Sequence, residues 1–348
     1  MIIKPSNDIY NNMSIEYLNN KIIDINDVCR YLNISKEHNH YTNNGPVKKI
    51  LEEKLCQILE LNESKKVLCL SNGTAAIQAL MFLCKKHNIN KWIIPAYTFP
   101  SAIVGNIFDV KIEDISLDSY TIDLEKAKDF DGMIITNLFG SFVDIYEFTS
   151  FCKNNNIKLV FDNAASPLSK YNGINICNFG DYCIGSLHHT KYMGYGEGGF
   201  IVCDKEDYEI LESLTNFGFP NPKENMQFAS NFKMSDVSAA FILAHINNFN
   251  KDNYLEIQNK MINEIGKDLL FNYNEGVIYN SMPILFKNPI SIDFYRKNGV
   301  QVNKYYRPLL DNAKNSHHIY ERIINLPLHT NLSDKDILKI KKTIDKCY

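Results

Sequence analysis

One lysine, Lys191, stands in the glycine-rich stretch SLHHTKYMGYGEGGF, residues 186–200, between the strand-like segments DYCIGS and GFIVCD. A lysine held between two sheet elements can be shielded from water, and desolvation lowers the pKa of its amine and makes the amine a nucleophile. The alternative is a surface lysine, which describes most lysines. The run GYGEGG is not a dinucleotide-binding fingerprint, because a strand follows it where that motif requires a helix.

A second candidate is the turn in LCLSNGTAAIQAL. A predicted strand ends at Leu70, and the residues SNGT at 71–74 lead into a predicted helix. The free N–H groups and the positive dipole end of that helix would suit a phosphate. Ser and Thr are also favoured as ordinary N-caps, so a purely structural helix start is the alternative.

The third candidate is Asp162, which ends the apolar segment IKLVFD and would project from the carboxyl edge of a sheet. It would either cap the following turn or pair with a cation. Together the three features supply what a pyridoxal phosphate enzyme requires: a helix N-terminus for the phosphate, a carboxylate for the pyridine nitrogen and a lysine for the aldehyde. Their order in the chain is also the order found in fold-type I enzymes. We therefore expect pyridoxal 5'-phosphate, with its pyridoxamine form, as the cofactor.

Apolar strand-like runs alternate with helical patterns from about residue 46. The strand predictions are KVLCL, WIIPA, MIITNLFG, IKLVFD and GFIVCD, and the helix predictions are VKKILEEKLCQILEL, TAAIQALMFLCKKH, SAIVGNIF and DIYEFTSFCKNNN. Such alternation predicts an α/β fold with a mostly parallel central sheet flanked by helices on both faces. Ligands of such sheets gather beyond the carboxyl ends of the strands.

The pattern changes after Phe232 to the apolar helix MSDVSAAFILAHINNF, a polar helical stretch to about residue 268, and then short elements. We predict a large cofactor-binding α/β domain with an N-terminal arm over residues 1–245. A smaller C-terminal α+β domain is predicted over residues 246–348.

The composition excludes several classes of protein. The net charge is −3 and argues against a nucleic-acid surface, and the sequence contains no run of 18 apolar residues and no leader pattern. Nine cysteines form no CxxC pair and no metal-ligand spacing. We therefore expect a cytoplasmic protein with reduced thiols, no metal and no membrane or nucleic-acid partner.

Seven segments resemble, in order and at similar spacings, the motifs of the DegT/StrS family of pyridoxal-phosphate-dependent sugar-nucleotide aminotransferases. They cover most of the chain and read YTNNGPVKKILEEKL, LSNGTAAIQAL, IIPAYTFPSAIVGNIF, TNLFGSFVDI, FDNAASPLSKYNG, SLHHTKYMGYGEGGF and NFKMSDVSAA. The resemblance implies the fold of the fold-type I transferases.

The resemblance also implies roles for individual residues. Lys191 would be the lysine that forms the Schiff base and then acts as general base, and Asp162 the partner of the pyridinium nitrogen. Gly73, Thr74 and Ser186 would hold the phosphate.

Two further cofactor contacts follow from the resemblance. Phe99 would stack on the cofactor ring, and Asn231 would reach the phosphate in the neighbouring subunit, which implies a homodimer with shared active sites. Two positions depart from the family's pattern. Ala165 stands where His or Gln is usual, which removes a polar contact near the ring hydroxyl, and Lys233 stands where Arg is usual.

His188, with the ending GEGG at 196–199, is similar to members of the family that aminate C4 of the sugar. The implied reaction moves an amino group from an amino acid, expected to be L-glutamate, to the C4 keto group of a UDP- or dTDP-linked 4-keto-6-deoxyhexose. A C3-aminotransferase and a non-catalytic cofactor-binding sensor are the alternatives, and a loop histidine is the alternative for His188. A dehydratase of this family would carry His in place of Lys191.

A late run, RKNGVQVNKYYRPL, is rich in basic and aromatic residues. It would either line the entrance for the diphosphate and base of a sugar nucleotide or form a solvated edge.

Overall fold

A seven-stranded sheet dominates the computed structural model, which describes residues 14–103 and 109–347. The strands are β1 (Lys65–Leu70), β2 (Lys91–Pro95), β3 (Asp109–Glu113), β4 (Gly132–Thr136), β5 (Lys158–Asp162), β6 (Lys170–Tyr171), β7 (Ile174–Asn175), β8 (Tyr182–Ser186), β9 (Gly199–Asp204), β10 (Met282–Leu285) and β11 (Ile323–Leu326).

Helices flank this sheet and form much of the C-terminal part. They are α1 (Ile25–Glu37), α2 (Pro46–Ile58), α3 (Gly73–Lys86), α4 (Ile145–Asn154), α5 (Lys205–Leu214), α6 (Pro222–Asn225), α7 (Asp236–Asn248), α8 (Lys251–Ile265), α9 (Ile292–Lys297), α10 (Lys314–Arg322) and α11 (Asp334–Asp345).

The strand order in the large sheet is β1-β9-β8-β5-β4-β2-β3. Neighbouring strands pair in parallel from β8 through β5, β4 and β2 to β3, and β9 alone in this sheet runs against its neighbours β1 and β8. The predicted α/β architecture with a mostly parallel sheet is thus confirmed. The carboxyl ends of β1, β5 and β8 meet at one edge of the sheet.

The central strands are buried on both faces, which explains their near-continuous apolar sequences. Alternate residues of each strand enter two different cores, because side chains alternate across a strand. One core contains Ile93, Met133, Leu159 and Phe161 and packs against α2 and α7, whereas the other contains Ile94, Ile134 and Val160 and packs against α3 and α5.

The C-terminal part contains a separate antiparallel pair, β10 with β11, and α8 packs against α11. The predicted domain boundary near residue 245 falls inside α7, which ends at Asn248. The division into two domains stays a prediction.

Most predicted elements are found within a few residues. The segment predicted as a strand from Met133 to Gly140 is shorter in the structure, because β4 ends at Thr136 and a turn follows. The helix predicted over 101–108 falls partly on residues 104–108, which lie outside the described residues; residues 100–102 form a single 3-10 turn. The strand β3 and the helix α1 were not predicted.

No helix among the described residues has the length and apolar character needed to cross a bilayer. Six of the nine cysteines are buried, and all nine are free thiols, as the sequence predicts.

Gly199, the first residue of β9, packs against the turn that precedes α3. A Cβ on Gly199 would lie 2.3 Å from the carbonyl carbon of Asn72 and 2.4 Å from the backbone nitrogen of Gly73. We therefore expect Gly199→Ala to lower the free energy of unfolding by about 2 kcal/mol, because backbone atoms must shift to admit the methyl group. Urea unfolding measures this change.

The control for this variant is Gly173→Ala. Gly173 has φ +80° and no neighbour within 4 Å of the added Cβ, so only backbone strain of about 1 kcal/mol is expected. Equal losses of stability in the two variants would contradict the close packing of Gly199 on the turn.

Candidate active site

The predicted site residues gather at the carboxyl edge of the large sheet. Asp162 ends β5, Ser186 ends β8, and the turn after β1 begins directly beyond Leu70. In the sheet register Gly199 lies opposite both Ser186 and Leu70, which brings the ends of β1 and β8 to the two sides of one strand.

The turn before α3 has the features of an anion site. The Asn72 side chain accepts a hydrogen bond from the amide of Ala75 at 2.8 Å, and among the described residues the amides of Gly73 and Thr74 have no acceptor. A Cβ built on Gly73 would have the Ser186 Cβ as its nearest neighbour, at 3.7 Å. Two free amides at the positive end of a 14-residue helix, facing a hydroxyl, fit a phosphate group.

Asp162 is buried, with 3% of its surface exposed. Its Oδ1 accepts a hydrogen bond from the amide of Ala164 at 3.0 Å. Burial raises the pKa of the Asp162 carboxyl, and the Ala164 amide and the charge of Lys191 oppose this shift. The carboxylate thus lacks solvent and would be stabilised by a cationic N–H donor.

Lys191 lies in the loop between β8 and β9, where the sequence predicts it. Burial lowers the pKa of its amine, and the nearby charge of Asp162 partly opposes this effect. The two side chains interact electrostatically, but within the described part of the chain no direct ion pair joins them. The arrangement favours a free, nucleophilic amine at lower pH than for an ordinary lysine.

Phe99 is half-exposed at the end of the segment that follows β2, with 53% of its surface accessible. Its ring meets the ring of Tyr306 edge-on at a centroid distance of 6.0 Å, and Tyr306 stacks on Phe139 at 5.4 Å. Burial and the charge of Asp162 raise the pKa of the Tyr306 phenol. Phe99, Tyr306 and Asp162 therefore share one region.

Sequence analysis did not select Tyr306 as a site residue, although it lies in the run RKNGVQVNKYYRPL. The available signal was the aromatic pair YY in a basic stretch. Nothing in that stretch indicated its contact with Phe99, because the two residues are far apart in the chain.

His188 is half-exposed and lies two residues after Ser186, near the start of the loop between β8 and β9. Its Nδ1 lies 2.9 Å from the Thr190 hydroxyl and its Nε2 lies 3.5 Å from the Glu197 carboxylate. The residues that distinguish the predicted sugar position, His188 and Glu197, are thus neighbours in space.

Asn231 is exposed, so its side chain is accessible to a second subunit. Two residues further on, the Lys233 Nζ is buried without a hydrogen-bond partner among the described residues and lies 4.3 Å from the centre of the Phe217 ring. Burial lowers the pKa of Lys233. Ala165 is buried near Asp162 and offers no polar side-chain atom to a cofactor.

The residues present fit pyridoxal phosphate. Free helix amides and the Ser186 hydroxyl suit its phosphate, Asp162 its ring nitrogen, and Lys191 its aldehyde. Among the described residues, no group of three or more His, Cys, Asp or Glu side chains could hold a metal ion.

The chain is similar to proteins named as sugar-nucleotide transaminases. The chain is 26% identical over 351 residues to a dTDP-4-amino-4,6-dideoxy-D-glucose transaminase of Shigella dysenteriae, covering 90% of this chain and 94% of that protein. It is 22% identical to a UDP-4-amino-4,6-dideoxy-N-acetyl-beta-L-altrosamine transaminase of Campylobacter jejuni, covering 84% of this chain and 87% of the relative.

The fold is likewise similar to solved structures. A DegT DnrJ EryC1 StrS aminotransferase from Brucella abortus superposes with a TM-score of 0.80 at 21% identity, covering 93% of this chain and 95% of the other. The family model of the DegT/DnrJ/EryC1/StrS aminotransferases matches residues 24–269, well over half of the chain. The chain therefore belongs to the DegT/DnrJ/EryC1/StrS aminotransferase family and is a pyridoxal-phosphate-dependent aminotransferase.

Proposed function

We propose that the protein transfers an amino group from L-glutamate to the C4 keto group of a nucleotide-linked 4-keto-6-deoxyhexose, giving a 4-amino-4,6-dideoxyhexose. The observation that carries the proposal is the pair formed by buried Asp162 and half-buried Lys191 at the carboxyl edge of the sheet, which lie near each other with no ion pair between them among the described residues. This pair would provide a carboxylate for the ring nitrogen and an amine for the aldehyde of pyridoxal phosphate.

Each site residue has a role that follows from its surroundings. Gly73, Thr74 and Ser186 would bind the phosphate through amides and a hydroxyl. Asp162 would hold a proton on the ring nitrogen, and the ring, when bound, supplies an electron sink for the carbon that loses a proton.

Lys191 would bind the cofactor covalently and, once free, carry a proton between the cofactor and the reacting carbon. Its pKa is lowered by burial, which keeps part of the amine neutral and able to accept that proton. The exposed ring of Phe99 would cover one face of the cofactor.

The C4 position is supported by two observations. The names of the Shigella and Campylobacter relatives both describe 4-amino-4,6-dideoxy sugars. His188 and Glu197, which resemble the pattern of C4 enzymes, contact each other at the loop. The same two names give dTDP and UDP as carriers, so we propose a thymidine or uridine diphosphate sugar as substrate.

We also propose that the active unit is a homodimer in which each chain completes the site of the other. The exposed Asn231 supports this arrangement, because an amide that is to reach a neighbouring phosphate must be accessible to the other subunit. The half-exposed aromatic side chains of Phe217 and Phe219 lie in the same region and are suited to a subunit contact.

The direct test of the proposed function is turnover. Purified protein is incubated with pyridoxal phosphate, L-glutamate and either a 4-keto or a 3-keto 6-deoxyhexose linked to dTDP or UDP. We expect 2-oxoglutarate and an aminated sugar from the 4-keto substrate. Turnover of the 3-keto substrate alone would contradict the C4 assignment, and cofactor binding without any turnover would favour the sensor.

Replacing Asp162 by Asn removes the negative charge near Lys191. That charge raises the pKa of Lys191, so its loss lowers this pKa further and makes the free amine available at lower pH. We expect the pH profile of Lys191 acylation in the cofactor-free chain to move to lower pH, as measured by peptide mass spectrometry.

Transamination by Asp162→Asn should slow by on the order of a hundredfold, because the ring nitrogen loses its partner.

The control is Asp204→Asn, which changes an exposed carboxylate at the opposite end of β9. This variant should leave the acylation profile and the activity unchanged. Full activity of Asp162→Asn would remove the role proposed for Asp162.

If each chain of the dimer completes the active site of the other, two inactive variants should restore activity when they are combined in one dimer. A dimer of one Lys191→Ala chain and one Asn231→Asp chain contains one site with both defects and one site with neither. After mixing and subunit exchange we expect about a quarter of the wild-type activity, because half of the dimers are hybrids. Mixtures that stay as inactive as the separate variants, although mass spectrometry detects hybrids, would contradict the shared site.

A further inference from the structure

Lys21 lies in an irregular segment that precedes α1, and this segment is fixed at both ends. On one side, the amide of Ile15 donates to the Gly299 carbonyl at 3.0 Å, and the Gln301 amide donates back to the Ile15 carbonyl at 2.9 Å. On the other side, α1 begins after its N-cap Asp24 and packs against α7. The backbone that carries Lys21 is therefore anchored independently of the loop that it contacts.

The Lys21 amine reaches the loop of Lys191. Its Nζ donates hydrogen bonds to the main-chain carbonyl of Lys191 itself and to that of Gly194. These two carbonyls belong to one tight turn, in which the Gly194 amide donates to the Lys191 carbonyl at 2.9 Å. A Cβ on Gly194 would lie 2.1 Å from the His188 carbonyl oxygen, so this turn has little freedom to adapt.

Two other side chains fix neighbouring carbonyls of the same loop. His245 of α7 lies with Nε2 2.8 Å from the Tyr192 carbonyl oxygen, and the Asn280 amide donates to the Thr190 carbonyl at 3.3 Å. The Asn280 side-chain oxygen also accepts from the Tyr192 amide at 3.2 Å, so Lys21 and Asn280 hold the carbonyl and the N–H of the same peptide, the one that joins Lys191 to Tyr192. That peptide orients the Cα–Cβ bond of Lys191 and hence the direction of its amine.

Main-chain carbonyls, and not a carboxylate, hold the Lys21 amine. Within residues 14–103 and 109–347 no carboxylate forms an ion pair with Lys21, and burial lowers its pKa to about 7. A neutral amine still carries two N–H groups, one for each carbonyl, so the contact does not require a charge. An ion pair is therefore not what keeps Lys21 in place.

From these contacts we infer that Lys21 is a positioning residue, which fixes the main chain of Lys191 so that its amine is directed toward the cofactor space beside Asp162. The inference rests on the proposed role of Lys191 and adds to it a residue from a distant part of the chain. Lys21 has no part in the chemistry other than through Lys191.

The test compares Lys21→Met, which removes both donors, with Lys21→Arg, which retains N–H donors. The first measurement is amide hydrogen exchange over residues 188–196 in the cofactor-free chain. We expect exchange in this loop to become about tenfold faster in Lys21→Met, with β5 and β8 unchanged, since two hydrogen bonds are lost locally. Lys21→Arg should restore most of the protection.

A matched control is Lys65→Met. Lys65 also donates to two main-chain carbonyls, those of Gly180 and Asp181, both at 3.3 Å, but at the opposite edge of the sheet. This variant should leave exchange over 188–196 unchanged. If both methionine variants accelerate exchange in the loop equally, the effect is a general loss of stability and the inference is wrong.

The second measurement is the kinetics of the enzyme loaded with pyridoxal phosphate. We expect kcat of Lys21→Met to fall about tenfold while KM for glutamate changes by less than about twofold, because the reacting amine is misdirected and donor binding is not. Wild-type exchange together with wild-type kcat would overturn the inference.

Should Lys21→Met not fold, Lys21→Gln gives the same comparison, because its shorter amide reaches at most one of the two carbonyls. Wild-type exchange in that variant would equally overturn the inference.

Because the exchange experiment uses the cofactor-free chain, it is independent of the proposed function. Faster loop exchange in Lys21→Met, together with no transaminase activity in the wild type, would support the contact and refute the proposed function.

Discussion

The structure depends on one constraint: the buried carboxyl group of Asp162 and the half-buried Lys191 lie near each other, and no ion pair joins them among the described residues. Burial raises the pKa of Asp162 and lowers that of Lys191, so each group loses part of the stabilisation that its charge has in water. Such an arrangement costs folding free energy unless a bound group pairs with both side chains. A protonated pyridine ring linked to the amine would satisfy both groups, which is why we propose that these two residues bind the cofactor.

The large sheet holds these groups at defined positions. Asp162 is the last residue of β5, which is buried over its last four residues, and it pairs in register with Thr136, whose hydroxyl lies 2.5 Å from that of Thr98. Behind it, the side-chain amide of Asn137 donates to the side-chain oxygen of Asn163 at 2.6 Å. The turn before α3 is fixed by close packing on Gly199. The polar ends of the strands therefore cannot move apart without disrupting the apolar cores on both faces.

Sequence patterns predicted the parts of the site that end regular elements. Asp162 and Ser186 follow apolar strands, and the SNGT turn precedes an apolar helix, so their positions follow from local sequence. β3 was missed because DVKIE is charged and only partly buried, which is not typical of a central strand. The contacts of Tyr306 with Phe99 and of Lys21 with Lys191 join residues about two hundred positions apart, and no local pattern indicates such contacts.

The measurement that tests the account most directly is the location of the covalent link between cofactor and protein. The protein loaded with pyridoxal phosphate is treated with borohydride, which makes the link permanent, and is then digested and mapped by mass spectrometry. We expect a single labelled peptide whose modified residue is Lys191. A label on any other lysine, or no label in protein that binds the cofactor, would contradict it.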